Sequence, residues 1–167
     1  MDAVVEKENQ KEKIAILVDV QNVYYTTREK FRKNFDYNEF WWRATNGRQV
    51  VCANAYAISS QQEKQRQFHH ILRGIGFTVV LKPYIQRADG STKADWDVGI
   101  AIDAIEIAPD VDTIVLLSGD GDFDILAKRI CEKYKKRVEV YGVRALTAQS
   151  LIDSATQYFP IEDDMLL

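Results

Sequence analysis

The sequence predicts a single three-layer α/β domain, in which helices flank a central, mainly parallel sheet of about five strands. Strand-like apolar segments alternate with amphipathic segments of helical length, which is typical of βαβ units with right-handed crossovers. The runs Ile14–Val18 and Ile114–Leu117 are continuously apolar, as in strands that are buried on both faces of a parallel sheet. No internal repeat or linker divides the 167 residues, a length that suits one domain with a sizeable core.

The elements of the first half follow from residue type and from the residues that end them. Runs rich in Val and Ile favour strands, whereas apolar residues at spacings of three and four favour helices. Asn46-Gly47 closes one predicted helix, and Gly76 ends another. The predicted order is a strand at 14–20, helices at 23–33 and 36–45, a strand at 49–58, a helix at 61–75 and a strand at 77–85.

The second half repeats this alternation after a turn at 88–91. A helix predicted at 95–108 is stopped by Pro109, and its apolar side is predicted to hold Val98, Ala101, Ile102 and Ile105. The remaining elements are a strand at 112–118, a helix at 123–134, a strand at 137–141 and a helix at 147–155. They predict a domain at 13–160, preceded by a flexible N-terminal segment at 1–12 and followed by a C-terminal tail at 161–167.

Composition excludes several classes of protein. No apolar run reaches the roughly 20 residues that span a membrane, and residues 1–13 lack the apolar core of a signal peptide, so we expect a cytoplasmic protein without a membrane partner. Cys52 and Cys131 do not make a disulfide framework or a zinc site. The net charge of −3 does not exclude a nucleic-acid partner, because it becomes +1 when four acids are set aside as site residues: Asp19, Asp97, Asp120 and Asp122.

Acidic residues follow two of the predicted buried strands at the point where each strand ends. Asp19 follows the first strand, and Asp120, Asp122 and Asp124 follow the fourth. Ligands of open α/β sheets bind at the carboxyl ends of the strands, so these side chains are expected to meet in one pocket. Neighbouring carboxylates repel one another unless a proton or a cation intervenes. The pattern therefore predicts a divalent metal site, although each acid is also an ordinary candidate for capping the helix that follows it.

The loop 118–124 carries the strongest local signal of this site. Its two glycines permit a tight turn and close approach of a ligand. It is not an EF-hand, because Ile125 replaces the required glycine and Cys131 replaces the bidentate glutamate. It is not a phosphate-binding loop either, because it lacks Gly-Lys-Ser/Thr and is anionic.

Three further residues are candidates for the same site. Asp97 lies in the first turn of the helix at 95–108, where favouring the helix dipole is the alternative explanation. Asn22 could orient a water or a phosphate oxygen, and Lys93 could hold a phosphate or offset the acids; a turn residue and an exposed lysine are the ordinary alternatives. Hard oxygen ligands without His or Cys favour Mg²⁺ or Mn²⁺, ions that activate water and bind phosphate oxygens. Phosphodiester hydrolysis is the chemistry that this set suggests.

Three motifs in order resemble those of one family. They are Val18-Asp19-Val20-Gln21-Asn22, then the segment 93–98 followed by Asp103, then Ser118-Gly119-Asp120-Gly121-Asp122-Phe123. Together they resemble the NYN domain family, more narrowly its bacterial LabA-like branch, over about Lys13 to Tyr158. NYN domains are similar to PIN-domain and flap-nuclease folds. The resemblance implies a PIN-like fold, an acidic pocket and a metal-dependent ribonuclease.

The resemblance also implies roles for individual residues. The first aspartate and the asparagine of the family fall on Asp19 and Asn22, and its mid-chain acid falls on Asp97, with Asp103 six residues on. The last pair falls on Asp120 and Asp122, or on Asp124 if its second acid lies four residues after the first. Catalysis and metal binding are accordingly expected at these acids. Orientation of the substrate is expected at Asn22, Lys93 and Ser118. Lys93 stands in a segment with one residue more than the usual Lys-Gly-Val-Asp pattern of the family.

The leading hypothesis is an RNA-directed endoribonuclease that uses Mg²⁺ or Mn²⁺ and acts on single-stranded RNA. The alternative is a LabA-like regulatory or binding module with little catalysis, acting through protein or RNA partners, and a homodimer is compatible with either. Another phosphotransfer enzyme, such as a phosphatase, is a third hypothesis. RNA would need a basic and aromatic rim, for which the candidates are Arg43, Arg48, Lys82, Tyr84, Arg87 and Lys93.

Overall fold

The structure is a computed structural model that describes residues 10–83, 85–86, 92–93 and 95–167, the two short ranges by their backbone alone. The predicted turn at 88–91 and most of the predicted N-terminal segment lie outside the described residues. The rim candidates Tyr84 and Arg87 also lie outside them, as does the side chain of Lys93.

A six-stranded parallel sheet forms the centre of the domain. In chain order the strands are β1 (Lys13–Asp19), β2 (Gln49–Ile58), β3 (Thr78–Lys82), β4 (Ile85–Gln86), β5 (Thr92–Lys93), β6 (Thr113–Leu117), β7 (Arg137–Gly142) and β8 (Gln157–Pro160). The main sheet has the order β3-β2-β1-β6-β7-β8, with every neighbouring pair parallel, while β4 and β5 form a separate antiparallel pair. The predicted α/β class is confirmed, and β8 is one strand more than the sequence pattern predicts.

Helices cover both faces of this sheet. They are α1 (Val20–Phe31), α2 (Tyr37–Thr45), α3 (Glu63–Ile75), α4 (Asp97–Ile107), α5 (Asp124–Glu132) and α6 (Gln149–Ser154). Alternate residues of β1 point to opposite faces. Ile14, Ile16 and Val18 pack with α1, α2 and α3, whereas Ala15 and Leu17 pack with α4, α5 and α6. The result is the predicted three-layer arrangement. Among the described residues, no helix is long and apolar enough to cross a membrane.

Helix α4 packs with a face that differs from the predicted one. Ile100 and Ala104 are fully buried, whereas Val98 is 71% exposed and Ile102 and Ile105 are also exposed. The prediction was wrong because most positions of this helix are apolar, so spacing alone does not single out a buried side. Asp97, Ile100 and Ala104 recur at intervals of three and four, so one face carries both the core contacts and the acid.

The C-terminal residues pack against the core although the sequence suggests a tail. Ile161 and Met165 are both buried and join the cluster under α1, α2 and α3. The backbone N–H of Leu167 donates to the carbonyl of Asn34 at 2.9 Å. Three acids, Glu162, Asp163 and Asp164, stand between Ile161 and Met165 in the sequence. The segment therefore looks polar, and its sequence does not indicate that the two apolar side chains are buried.

Candidate metal centre

Three aspartates converge at the carboxyl ends of the two central strands. Asp19 is the last residue of β1, Asp120 lies in the loop after β6, and Asp97 is the first residue of α4. One carboxylate oxygen from each lies within 4.8 Å of the other two. The chain runs from β1 to β2 and β3 on one side, then returns to β6 on the other, so the strand order reverses between β1 and β6. Binding sites of open α/β sheets lie at such a reversal.

Local structure fixes two of these aspartates by capping. Asp19 is the N-cap of α1, and its Oδ1 accepts a hydrogen bond from the backbone N–H of Asn22 at 3.5 Å. Asp120 is the N-cap of the 3₁₀ turn Gly121–Phe123, and its Oδ1 accepts a hydrogen bond from the backbone N–H of Asp122 at 2.9 Å. Capping was the alternative explanation for these acids, and both aspartates cap while they also take part in the acidic group. In each, one carboxylate oxygen accepts from a backbone N–H, and the carboxyl group still lies close to the other two acids.

Ser118 and Asn22 join the two strand ends. The Oγ of Ser118 donates to Oδ2 of Asp19 at 3.2 Å and accepts from the backbone N–H of Asp120 at 3.2 Å. The Oδ1 of Asn22 accepts from the N–H of Gly119 at 2.9 Å. Both side chains thus hold the loop after β6 against the start of α1, beside the acids.

Gly119 is required by a close backbone approach. A Cβ at this position would lie 2.9 Å from the carbonyl oxygen of Leu146 and 2.9 Å from Oγ1 of Thr147. The backbone N–H of Ala148 donates to the carbonyl of Gly119 at 3.1 Å. The sequence suggested that this glycine allows close approach of a ligand. It did not predict that the segment 146–148 packs against Gly119, because no local pattern in the sequence indicates that contact.

Burial and neighbouring charge perturb two of these carboxyl groups. Burial is the main cause that raises the pKa of Asp19 to about 6; hydrogen bonds from Asn22 and Ser118 oppose the change, and the charges of Asp120 and Asp95 add to it. Burial, the charge of Asp120 and a hydrogen bond with Asp120 raise the pKa of Asp97 to about 7. The Oδ1 of Asp95 accepts a hydrogen bond from the N–H of Asp97 at 3.3 Å, and the charge of Asp95 makes a small contribution to both raised pKa values.

This group fits a hard divalent cation. Its converging donors are all carboxylate oxygens, the ligands that Mg²⁺ and Mn²⁺ prefer. Among the described residues, none of the three acids forms a salt bridge with a Lys, Arg or His. Burial first, and the neighbouring acids second, raise both pKa values, and a bound cation would favour the charged carboxylates against both effects. The site therefore offers the ligand atoms and an electrostatic reason to bind a metal.

Three other acids that the sequence nominates lie outside this group. Asp122 is exposed, and Asp124 begins α5. Asp103 lies on α4, where its Oδ2 accepts a hydrogen bond from the hydroxyl of Tyr56 at 2.7 Å. Tyr56 accepts in turn from Nδ2 of Asn54 at 3.1 Å, so a hydrogen-bond chain ties Asp103 to β2.

The described rim candidates are already engaged within the protein. Arg43 pairs with Glu39 at 2.8 Å and with Asp164 at 3.0 Å. Arg48 pairs with Glu12 and with Glu139. Lys82 lies over the ring of Trp96, 4.6 Å from its centroid, and bonds the carbonyl of Asp95. The sequence showed their charge but not these partners. Apart from Glu39, which lies one helical turn before Arg43, the partners of the two arginines come from distant parts of the chain.

The fold and the acidic group together define an α/β domain with a carboxylate site at the reversal point of its sheet. The family model described as the NYN domain matches residues 13–162, and the chain belongs to this family. The chain is 27% identical over 159 residues to the low amplitude and bright protein LabA of Synechococcus elongatus, a match that covers 90% of this chain and 84% of that protein. These findings confirm the resemblance carried by the three motifs.

A solved structure has the same fold throughout. The crystal structure of a protein of unknown function from Vibrio parahaemolyticus is 68% identical, with a TM-score of 0.91. The match covers 94% of this chain and 97% of that one. The parallel sheet and its flanking helices therefore also occur in an experimentally solved relative.

Proposed function

We propose that this chain is an endoribonuclease that uses Mg²⁺ or Mn²⁺ to hydrolyse phosphodiesters of single-stranded RNA. The observation that carries the proposal is the group of Asp19, Asp97 and Asp120, three carboxylates within 4.8 Å that have no cationic partner among the described residues. Membership in the NYN domain family, which is similar to PIN-like nucleases, supports RNA as the substrate.

Asp19, Asp97 and Asp120 would hold the ion together, and the bound ion would supply an activated water and neutralise charge on the phosphate oxygens. Ser118 and Asn22 fix the acids and the loop, and Nδ2 of Asn22 remains as a donor for a phosphate oxygen. Lys93 is proposed to bind phosphate as well.

The remaining acids are assigned smaller parts. Asp122 lies in the 3₁₀ turn after Asp120 and Asp124 begins α5, and both are proposed to contact the ion or its waters from outside the group. Asp103 is assigned to positioning α4 through Tyr56, because its Oδ2 is already occupied by the tyrosine hydroxyl.

The test is cleavage of a labelled single-stranded RNA with Mn²⁺ or Mg²⁺, compared with the same reaction in EDTA. Asp120→Asn and Asp97→Asn are expected to lower the rate by about 100-fold or more, because metal catalysis supplies several kcal/mol. Asp110→Asn is the matched control. It makes the same chemical change at an exposed acid beyond the far end of α4, and we expect it to leave the rate within about twofold.

Failure to cleave any of a varied set of RNAs, by folded protein that still binds Mn²⁺, would overturn the catalytic proposal. It would then favour the binding or regulatory module with an intact metal site. Cleavage that persists in EDTA, or that Asp120→Asn leaves unchanged, would instead show that the reaction occurs elsewhere on the chain.

A further inference from the structure

The outer face of α1 carries two adjacent exposed tyrosines and a basic end. Val20, Val23 and Thr27 turn toward the core, and Gln21, Tyr24, Tyr25 and Arg28 occupy a neighbouring side of the helix, where Tyr24, Tyr25 and Arg28 are exposed. At about 100° per residue these four positions fall within an arc of about 100°. We call this set the α1 track. Tyr24 is 53% exposed and Tyr25 is 64% exposed, so burial in this domain does not account for either ring.

The charge of this region is opposite to that of the chain. The segment 28–33 holds Arg28, Lys30, Arg32 and Lys33 against the single acid Glu29. All four cations lie within three residues of Phe31, where α1 ends, and Arg32 is its C-cap. Among the described residues, none of the four forms a salt bridge. The helix dipole accounts for some positive charge here, but it does not account for the two exposed rings.

The α1 track is continuous with the acidic group. Asp19 is the N-cap of α1, and Asn22, which holds the loop after β6, lies one helical turn from Tyr25. Residues three and four apart are surface neighbours, so Tyr25 adjoins both Asn22 and Gln21. Tyr24 and Tyr25 lie about 8–9 Å along the helix axis from Asp19. The 12 residues of α1 extend about 18 Å, equivalent to about five nucleotides of a stacked strand.

These residue types match the two chemical features of a single strand. Exposed aromatic rings stack on bases of any sequence, and cationic side chains neutralise the phosphates between them. The rings of Tyr24 and Tyr25 have centroids 5.8 Å apart and an interplanar angle of 73°, so they present differently oriented surfaces to solvent. A duplex does not offer unstacked bases to such rings, which favours a single strand.

We infer that the α1 track binds the nucleotides of a single-stranded RNA that flank the scissile phosphate. Bases stack on Tyr24 and Tyr25, and the backbone runs toward Arg28 and the basic end of the helix. The inference rests on the proposed ribonuclease function for its substrate class. It adds a binding surface that the acidic group does not contain.

Binding is measured with a fluorescein-labelled 12-nucleotide single-stranded RNA in EDTA, by fluorescence anisotropy on the full chain. The double variant Tyr24→Ala/Tyr25→Ala is expected to bind at least about tenfold more weakly. Tyr24→Phe/Tyr25→Phe keeps both rings and is expected to bind within about threefold of the original protein. Trp42→Ala is the matched control, because Trp42 is 63% exposed on α2 and lies outside the track, and no loss is expected.

The basic end is tested by salt dependence. Arg28→Ala/Arg32→Ala is expected to reduce the slope of log affinity against log salt by about 1.4, because each phosphate contact contributes about 0.7 for a single strand. Unchanged affinity in the tyrosine-to-alanine variant, equal losses in that variant and in Trp42→Ala, or no RNA binding at all would overturn the inference.

A cleavage assay separates this inference from the proposed function. If the tyrosine variant loses binding but the original protein cleaves no RNA, the track stands as a surface for single-stranded RNA and the ribonuclease proposal fails. Suppose instead that the original protein cleaves RNA, and that the tyrosine variant has the same kcat/KM as the original protein on both a 12-nucleotide and a 3-nucleotide substrate. The ribonuclease proposal then stands and the track is refuted.

Discussion

Two buried groups of charged residues in the same sheet are organised in opposite ways. Glu139 of β7 is 2% exposed, and Arg48 binds both of its oxygens, at 2.9 and 2.7 Å. Asp19 of β1 is 8% exposed, but its charged neighbours are other acids, Asp97 and Asp120. The two carboxylates have nearly the same burial and differ in their partners.

This difference separates a structural charge from a candidate functional one. The guanidinium of Arg48 compensates Glu139 within the folded chain, and Arg137 adds a weaker contact at 3.5 Å. The Asp19 group brings three acids together with no salt bridge to a cation among the described residues, and burial, with the charges of the neighbouring acids, raises the pKa values of Asp19 and Asp97. Removing Arg48 should therefore lower the stability of the protein, whereas binding of a cation at the Asp19 group should raise it.

The largest expected effect is the loss of Arg48. Arg48→Ala leaves Glu139 buried without its bidentate partner, so we expect the free energy of unfolding to fall by about 3–5 kcal/mol. Urea unfolding measures this change. The double variant Arg48→Met/Glu139→Leu should recover much of the loss, because no uncompensated charge remains. A loss below about 1 kcal/mol in the single variant would show that the pair is not structural.

The second effect is a dependence of stability on pH in EDTA. Because the pKa of Asp19 is about 6 in the folded protein and 3.8 ordinarily, the folded state binds more protons between about pH 4 and pH 7. Stability should then fall as pH rises through this window, by up to about 3 kcal/mol from Asp19, with a smaller part from the more solvated Asp97.

Chemical unfolding at pH 4 to 8 measures this dependence, and the Asp19→Asn variant removes the titrating group. The difference between the two proteins isolates the contribution of Asp19. A stability difference that stays constant or rises with pH would contradict the raised pKa and, with it, the contrast between the two groups.

The third effect is stabilisation by metal. At ten times its dissociation constant, Mn²⁺ should raise the free energy of unfolding by about 1.4 kcal/mol. Asp120→Asn should abolish this gain, yet in EDTA it should be at least as stable as the original protein because a like charge is gone. Thermal unfolding with and without Mn²⁺ reports both. Equal protection by Mn²⁺ in the variant would place the ion elsewhere.

The smallest effect concerns the hydroxyl that bridges the two strand ends. Ser118→Ala removes the donor to Asp19 and the acceptor for the N–H of Asp120. We expect a loss of about 1 kcal/mol in stability and roughly tenfold weaker Mn²⁺ binding. Ser154→Ala is the control, since its exposed hydroxyl bonds only the carbonyl of Ser150. Unchanged Mn²⁺ affinity in Ser118→Ala would show that the hydroxyl does not position the acids.

Much of the fold was predictable because its signals are local. The apolar runs of β1 and β6 and the aspartates that end them follow from residue order alone. Strand β8 was not predictable in this way. It is four residues long, half-exposed and mixed in composition, and it becomes a strand because Glu139–Gly142 of β7 offers a pairing edge.

Residue order alone places carboxylates at the ends of two buried strands, because the apolar segments and the residues that end them are local information. Which acids meet depends on the packing of the folded chain. Asp97 joins the group and Asp103 does not, because the rotation of α4 is set by packing against the sheet and by the hydroxyl of Tyr56. Packing also supplied the partners of Arg43 and Arg48. Distances between side chains far apart in sequence depend on strand order and helix rotation, which no local pattern encodes.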